Sequence, residues 1–315
     1  MIKIGIIGQN AGNGHPISYS SIFNGYNKKY LKKYCKFKLI KEYLPKDHRN
    51  LSENIIQGAK VTHIWTQNKR LSEKISKVCN IPNISKDLKE MSNEVDAVIL
   101  ARDDYNNHLK MIEVFIKKSI PIFIDKLIVG NVKEWKKFKK MSKNKLYMSG
   151  SSAKYTRDVQ FFLKKKNKLR KNTIFVSGHS RENWARYAHH LLEGLIQIYG
   201  NKVKKVRCLF SNSTKESYEI VYKNLNAFFF FEKNLSLPIE LNCYNKGIIH
   251  EKIPYTDYFF SIKGLMREFY KMIRKHKQII PVKEMDLLTK IVLAGIESKK
   301  KGGVFISLKS LNKYG

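Results

Sequence analysis

The first sixteen residues constrain this chain most. Lys3-Ile4-Gly5-Ile6-Ile7 is a short apolar run ending at Gly8, as a buried central strand of a parallel sheet does. A glycine-rich turn follows, Gly8-Gln9-Asn10-Ala11-Gly12-Asn13-Gly14-His15-Pro16, and then a helical pattern from about Ile17 to Tyr34. Pro16 suits the first turn of a helix, where a missing N–H costs nothing. Glycines after a first strand let backbone N–H groups approach a pyrophosphate, and the following helix start adds a favourable dipole. Gly8, Asn10, Gly12, Asn13, Gly14 and His15 are therefore candidate cofactor residues. Their spacing, G-x-x-x-G-x-G, departs from the usual G-x-G-x-x-G and equally fits a plain strand-to-helix turn.

Residues 35–58 are polar and irregular and read as an insertion. Beyond them, strands at Val61–Thr66, Val95–Ala101 and Ile120–Ile124 alternate with helices at Arg70–Val78 and His108–Lys118. Such alternation implies right-handed crossovers and one parallel sheet. After Lys126 the texture changes. A strand at Thr173–Ser177 and a helix at Asn183–Tyr199 precede successive strands at Val206–Phe210, Ser217–Tyr222 and Ala227–Glu232. Late helices at Ser261–His276 and Lys283–Ser298 lead to a last strand at Val304–Leu308. The expected architecture is α/β: a doubly wound parallel Rossmann domain over 1–126, then an α+β domain with a mixed, largely antiparallel sheet over 127–315. The run Phe228-Phe229-Phe230-Phe231 is expected to pack a sheet face against helices.

The formal charge of +35 invites a nucleic-acid reading. Sites for nucleic acid concentrate charge on one face and favour arginine, whose planar fork grips phosphate. Only ten of the 61 basic residues are arginine, and lysines are spread along the whole chain. Val132, Trp135, Phe138 and Met141 recur every three residues as an apolar stripe, with Lys133, Lys136, Lys137, Lys139 and Lys140 between them as a solvated face. No nucleic-acid partner is expected. No apolar stretch of about 18 residues is present, so no membrane partner is expected either. Cys35, Cys79, Cys208 and Cys243 lie far apart, with no C-x-x-C pair. They suit free thiols in a reducing cytoplasm, with no metal site.

The strand ends carry the chemistry. NAD-binding chains usually place a carboxylate at the end of the second strand for the ribose 2′-hydroxyl. This chain has Thr66-Gln67-Asn68-Lys69-Arg70 instead. Thr66, Asn68 and Arg70 favour a 2′-phosphate, so NADP is preferred over NAD; the bland reading is helix capping and solvation. Ala101-Arg102-Asp103 and His108 lie at the next strand end, where a ligand crosses the sheet, and Asp125-Lys126 end the one after. A lysine there can bring an ammonium group to a reacting hydroxyl; in so lysine-rich a chain it also fits a surface position.

The succession of these motifs resembles the glucose–fructose oxidoreductase, inositol dehydrogenase and MocA family of pyridine-nucleotide enzymes. The resemblance rests on the opening strand and glycine turn, Val95-Asp96-Ala97-Val98-Ile99-Leu100-Ala101, His108, Asp125-Lys126, and a helix carrying His190-Leu191-Leu192-Glu193 through Gly200. It extends to Leu293-Ala294-Gly295-Ile296-Glu297-Ser298 and Gly302-Gly303-Val304. It implies a cytoplasmic NAD(P)-dependent dehydrogenase or reductase, a homo-oligomer through its C-terminal sheet. Lys126 matches the lysine of the family's E-K-P signature and His190 the histidine closing its D-x-x-x-H signature. The pair is then catalytic: imidazole takes the hydroxyl proton as hydride leaves, and the ammonium stabilises alkoxide charge. His189 sits about 100° around the helix from His190 and reads as structural or site-lining.

Three positions depart from the family pattern. Asp125 replaces glutamate, Leu127 replaces proline, and Arg186 replaces the aspartate four residues before His190. An arginine there depresses a histidine pKa by like-charge repulsion. Arg186, with Lys154 and Arg181, then binds an anionic substrate group, Trp184, Tyr187 and His189 lining the same site; alternatively, redox activity has been lost. The first reading makes the substrate a sugar, cyclitol or nucleotide sugar, suiting glycan biosynthesis. The second makes the chain a silent relative that binds a nucleotide or sugar for regulation or assembly.

Overall fold

The computed structural model describes residues 1–46, 54–234, 238–247 and 250–314. It divides into two compact units. The first comprises Met1–Ile128, Lys137–Ser149 and Ile262–Ile280; the second comprises Val129–Lys136, Gly150–Ser261 and Pro281–Gly315. The expectation of one break after residue 126 therefore misses two returns of the chain to the first unit. Both returns bury apolar surface there. Phe269 sits edge-on to Phe123 at 5.9 Å, and Gln278 donates from Nε2 to the Tyr147 carbonyl at 2.6 Å.

The first half runs β1 (Ile2–Ile7), α1 (His15–Asn24), α2 (Lys28–Tyr34), α3 (Lys38–Tyr43), β2 (Ala59–Trp65), α4 (Lys69–Cys79) and β3 (Asn83–Ile84). It continues through α5 (Leu88–Glu94), β4 (Ala97–Leu100), α6 (His108–Lys117), β5 (Ile122–Ile124), α7 (Val132–Met141) and β6 (Tyr147–Ser149). Among the described residues β1 to β6 form one sheet in the order β3-β2-β1-β4-β5-β6, every pair parallel. The order reverses beside β1, which puts a ligand crevice at the carboxyl ends of β1 and β4. β1 from Ile4 onwards and all of β4 are buried on both faces, as their largely apolar runs require.

The single helix expected over Ile17–Tyr34 is two. Gly25 at φ +68 turns the chain out of α1, and Asn27 caps α2 by accepting the Tyr30 N–H at 3.1 Å. The insertion expected over 35–58 is not wholly irregular either, since it contains α3, whose Ile40 and Tyr43 are buried; residues 47–53 lie outside the described ones. α7 behaves as its stripe implies. Val132, Trp135 and Phe138 are buried, while Lys133, Lys136, Lys137, Lys139 and Lys140 are exposed.

The second half runs α8 (Arg157–Lys164), α9 (Lys166–Asn172), β7 (Thr173–Arg181), α10 (Trp184–Tyr199), β8 (Lys205–Ser211), β9 (Lys215–Val221) and β10 (Asn226–Glu232). β11 (Glu240–Asn245), β12 (His250–Pro254), α11 (Tyr258–Lys275), α12 (Val282–Lys300) and β13 (Ile306–Ser307) follow. The second sheet has the order β12-β11-β7-β10-β9-β8-β13 among the described residues. Only β7 and β10 pair in parallel; the other pairs are antiparallel. β11 and β12 escaped the sequence reading because Glu240-Leu241-Asn242-Cys243-Tyr244-Asn245 lacks an apolar run. Two-residue periodicity divides the phenylalanine run: Phe229 and Phe231 are buried, whereas Phe228 and Phe230 are about 40% exposed. Half the run packs inwards and half faces out, which corrects the expectation for its outer half. All four cysteines are free and buried, and no described helix is long and apolar enough to cross a membrane.

Candidate active site

The glycine turn is held by close packing rather than by chance composition. A Cβ at Gly8 would stand 2.3 Å from Pro16 Cγ, and one at Gly14 would stand 2.4 Å from Ile40 Cδ1 and 2.9 Å from the Phe37 ring. The segment around α3 thus lies directly on the turn. Gly12 takes φ +79, a conformation that favours glycine. Asn13 is buried; its Oδ1 accepts the His15 N–H at 2.7 Å and its Nδ2 donates to Asp125 Oδ2 at 3.3 Å. With Pro16 lacking an N–H and Ile17 bonded to the Gly14 carbonyl, the first helical turn keeps few donors. Among the described residues the N–H groups of Ala11, Gly12 and Gly14 have no protein partner. Those open donors fit a phosphate.

The strand ends around the turn are tied together. Asn10 and Asp103 bond reciprocally, side chain to side chain and Asp103 N–H to Asn10 Oδ1 at 3.1 Å, while the Ala101 N–H donates to the Ile7 carbonyl. Arg102, nearly buried, forks onto Asp104 through Nε at 2.8 Å and Nη2 at 2.6 Å and donates from Nη1 to Gln67 at 2.8 Å. Its charge is spent on holding β4 to β2. His108 is wholly buried, with Nε2 against the Arg102 carbonyl at 3.1 Å and Nδ1 against the Ile128 carbonyl at 3.2 Å. Burial pushes its pKa down, against the pull of Asp125 and Asp104. It positions two loops, its two ring nitrogens both facing carbonyls, which corrects the cofactor contact expected of it.

The β2 end also departs from expectation. Thr66 is buried, and its hydroxyl is shared between the Asn68 carbonyl at 2.7 Å and Ser72 Oγ at 2.9 Å. Asn68 caps α4 by accepting the Leu71 N–H. Both side chains shape the turn, as the bland reading had it; Asn68 and Arg70 are exposed.

Asp125 and Lys126 end β5. Asp125 is wholly buried and meets His15 Nδ1 in a short ion-pair contact, with Lys126 Nζ 4.0 Å from its other oxygen. Burial alone would raise its carboxyl; the His15 and Lys126 charges outweigh burial and hold it well below the usual carboxylate range. Lys126 itself is 3% exposed and belongs to this buried cluster, not to the surface.

In the second unit His190, half-buried on α10, places Nδ1 2.6 Å from Ser151 Oγ. His189 is buried. Tyr187 lies 5.1 Å from the His190 ring, with the Arg181 guanidinium 6.0 Å from the Tyr187 ring centre. Arg186 pairs with Glu182 at 3.3 Å, which offsets its charge. Lys154, nearly buried, bonds Glu284 at 3.0 Å and Glu193 at 3.3 Å. Burial opposes its charge, but Glu193 and Glu284 raise its pKa above the ordinary lysine value. An ammonium already facing two carboxylates is poorly suited to a substrate anion, which corrects the role expected for Lys154. Trp184 is core: it is 1% exposed, donates from Nε1 to the Val292 carbonyl at 2.8 Å and stacks on Tyr218 at 4.1 Å. It does not line a site.

Ser151, Glu193, Glu284 and Gln67 were not found from sequence. Ser151 follows Tyr147-Met148-Ser149, a three-residue strand too short to be seen by periodicity, whose carboxyl end is nonetheless the informative position. Among the described residues no group of three or more His, Cys, Asp or Glu side chains could hold a metal ion.

Fold and site together define a Rossmann-type dinucleotide-binding protein with a second, mixed-sheet unit. Residues 42–150 match the model of the GFO/IDH/MocA oxidoreductase family, described as having an NAD-binding Rossmann fold. That match spans about a third of the chain. Solved structures agree over both units. Apo scyllo-inositol dehydrogenase from Lactobacillus casei is 14% identical, with a TM-score of 0.74 over 98% of this chain and 99% of that one. Myo-inositol dehydrogenase from the same organism, in complex with NAD(H) and myo-inositol, is 9% identical, with a TM-score of 0.74 over 98% and 96%. Myo-inositol 2-dehydrogenase from Lactobacillus plantarum is 13% identical, with a TM-score of 0.71 over 97% and 99%. A search of curated proteins gives no match.

Proposed function

We propose that the chain is a nicotinamide-dinucleotide-dependent oxidoreductase that interconverts a secondary hydroxyl and a ketone on a sugar, cyclitol or nucleotide sugar. The observation that carries this reading is the cluster at the ends of β1 and β5. Open backbone donors at Ala11, Gly12 and Gly14 lie on the same turn as His15, which contacts Asp125 beside the buried Lys126. The family match to an oxidoreductase supports it, as do solved relatives whose names include scyllo-inositol and myo-inositol.

The residues divide the work as follows. Ala11, Gly12 and Gly14 hold the pyrophosphate, and a bound nicotinamide supplies the hydride acceptor or donor. Lys126, buried beside Asp125, stabilises alkoxide charge on the substrate oxygen. Ser151 Oγ already accepts the Ala153 N–H at 3.0 Å; with its second lone pair taking the His190 Nδ1–H, Nε2 is the ring nitrogen assigned to accept the hydroxyl proton. Arg181, for which no carboxylate partner is found among the described residues, is the remaining cation for an anionic substrate group.

One departure favours a second reading, a silent relative that binds nucleotide or sugar without turnover: Arg186 stands in place of the family aspartate. Against it, Glu182 balances Arg186 and Ser151 supplies His190 with the partner the aspartate would have been. The deciding experiment is absorbance at the nicotinamide band, with NAD(H) and NADP(H), across a panel of cyclitols, sugars, sugar phosphates and nucleotide sugars. Turnover of any member supports the enzyme. Dinucleotide binding with no turnover across the panel supports the silent relative.

A further inference from the structure

A cavity of about 490 Å³ opens beside the glycine turn, within the first unit. Gln9, Asn10, Ala11 and Gly12 form one wall and Gln67 meets them from the β2 end. Ile17, Leu71, Ile75 and Val78 give it an apolar floor, and Tyr34 and Phe37 add aromatic faces. Its charged lining is entirely cationic: Lys33 from α2, Lys36 from the link to α3, and Lys74 from α4. Among the described residues none of these three ammonium groups has a carboxylate partner. Three like charges around one hollow repel each other, and an anion seated between them relieves that repulsion.

The neighbourhood says which anion. The cavity adjoins both the open N–H donors of the turn and the end of β2, so a dinucleotide with its pyrophosphate on the turn presents its adenosine ribose here. A carboxylate that would bind a free 2′-hydroxyl, and repel a 2′-phosphate, is absent from the lining. Gln67 occupies the strand end instead, its amide committed to the Gln9 carbonyl and the Arg102 guanidinium. Thr66 and Asn68, the residues first suited to a phosphate by sequence, are bonded within their own turn.

We infer that Lys33, Lys36 and Lys74 form a 2′-phosphate site, so that the dinucleotide selected is NADP(H). This rests on the dinucleotide reading above and names the form of cofactor taken. The chain between α1 and β2 gains a purpose: α2 and the link to α3 carry two of the three cations to a strand end that lacks its own phosphate ligand. The lysines lie at the surface, so each contributes modestly and the effect is shared.

The test is fluorescence titration of the full chain with NADPH and with NADH, in wild type and in the Lys33→Ala/Lys36→Ala/Lys74→Ala triple variant, with Arg70→Ala alongside. Thermal melting confirms that each variant folds. Wild type binds NADPH at least tenfold tighter than NADH, the advantage shrinking as salt rises; the triple variant loses most of it while NADH affinity changes less than twofold. Equal wild-type affinities overturn the inference and leave the dinucleotide reading standing. A preference that survives the triple substitution, or vanishes in Arg70→Ala alone, overturns the assignment to the lysines. Failure of both dinucleotides to bind sinks the underlying reading itself.

Discussion

Ser151 Oγ stands 2.6 Å from His190 Nδ1, so the imidazole is fixed by a serine from the loop after β6 rather than by a residue one turn back on its own helix. The serine is held in turn, its N–H donating to Glu193 Oε1 at 3.0 Å. A neutral hydroxyl orients the ring without adding negative charge beside it.

Ser151→Ala therefore lowers turnover by about tenfold to a hundredfold, the range expected when a reacting group loses its aim. Stability falls by only about 1 kcal/mol. Histidine ¹⁵N chemical shifts report the change directly, because the variant shows a mixture of His190 tautomers where wild type shows one. A single unchanged tautomer in Ser151→Ala refutes the positioning role.

Asp125 gives the first unit a pH dependence of known sign. Its carboxyl titrates lower when folded than when unfolded, so the folded chain is favoured above the ordinary value of about 3.9. That contribution is complete by about pH 5 and drains away as pH falls through and below the unfolded value. Asp125→Asn strips buried Lys126 of its counter-charge and costs about 3 kcal/mol at neutral pH. Urea unfolding from pH 7 to pH 3 shows this gap narrowing on acidification. A constant gap removes Asp125 as the source.

Much of this was legible because strong local signals coincided with tertiary ones. Ile4, Ile6 and Ile7 and the run Ala97–Leu100 read as buried strands for the reason that they are buried, being enclosed on both faces. Lys126 and His190 could be singled out by order along the chain. What burial does to a charged side chain could not. Nothing in the sequence distinguishes Lys154, neutralised by carboxylates 39 and 130 positions away, from a lysine open to ligand. Trp184 shows the same limit, since its partners Tyr218 and Val292 come from other elements. Short strands such as β3 and β6 are too brief for periodicity to register, and Ser151 was lost with the second of them.

Lys126→Met keeps most of the apolar stem of the side chain and removes its ammonium group. Turnover falls at least a hundredfold, in line with loss of a transition-state charge partner, while dinucleotide affinity stays within about threefold. Stopped-flow measurement of hydride transfer, paired with fluorescence titration, separates the two effects. Comparable losses in binding and rate would assign Lys126 to cofactor binding instead.

Trp184 serves the core, and Gly295 shows how tightly. A Cβ there would lie 2.3 Å from the indole Nε1, so Gly295→Ala forces the ring off its bond to the Val292 carbonyl and costs about 1 to 3 kcal/mol. Trp184→Ala costs about 3 to 5 kcal/mol. Denaturant unfolding measures both. Neither changes the order of preference among substrates at a temperature where the variant is folded; a reordered preference would return Trp184 to the site.

The outer face of the second sheet bears Phe175, Phe228, Phe230 and Phe210, between 37% and 52% exposed. Phe175 stacks on Tyr244 at 4.3 Å and meets Phe228 edge-on at 6.4 Å, so these three rings cluster on that face. An apolar patch on a sheet face is a surface suited to being covered, and the expected occupant is a second copy of the same chain, related by a two-fold axis. Light scattering after size exclusion is expected to give at least twice the mass of one chain. Phe228→Glu/Phe230→Glu places like charges opposite each other across such an axis, shifting the protein to single chains without unfolding it, because neither side chain reaches the core. A wild-type protein that runs as a single chain at micromolar concentration ends the self-association reading.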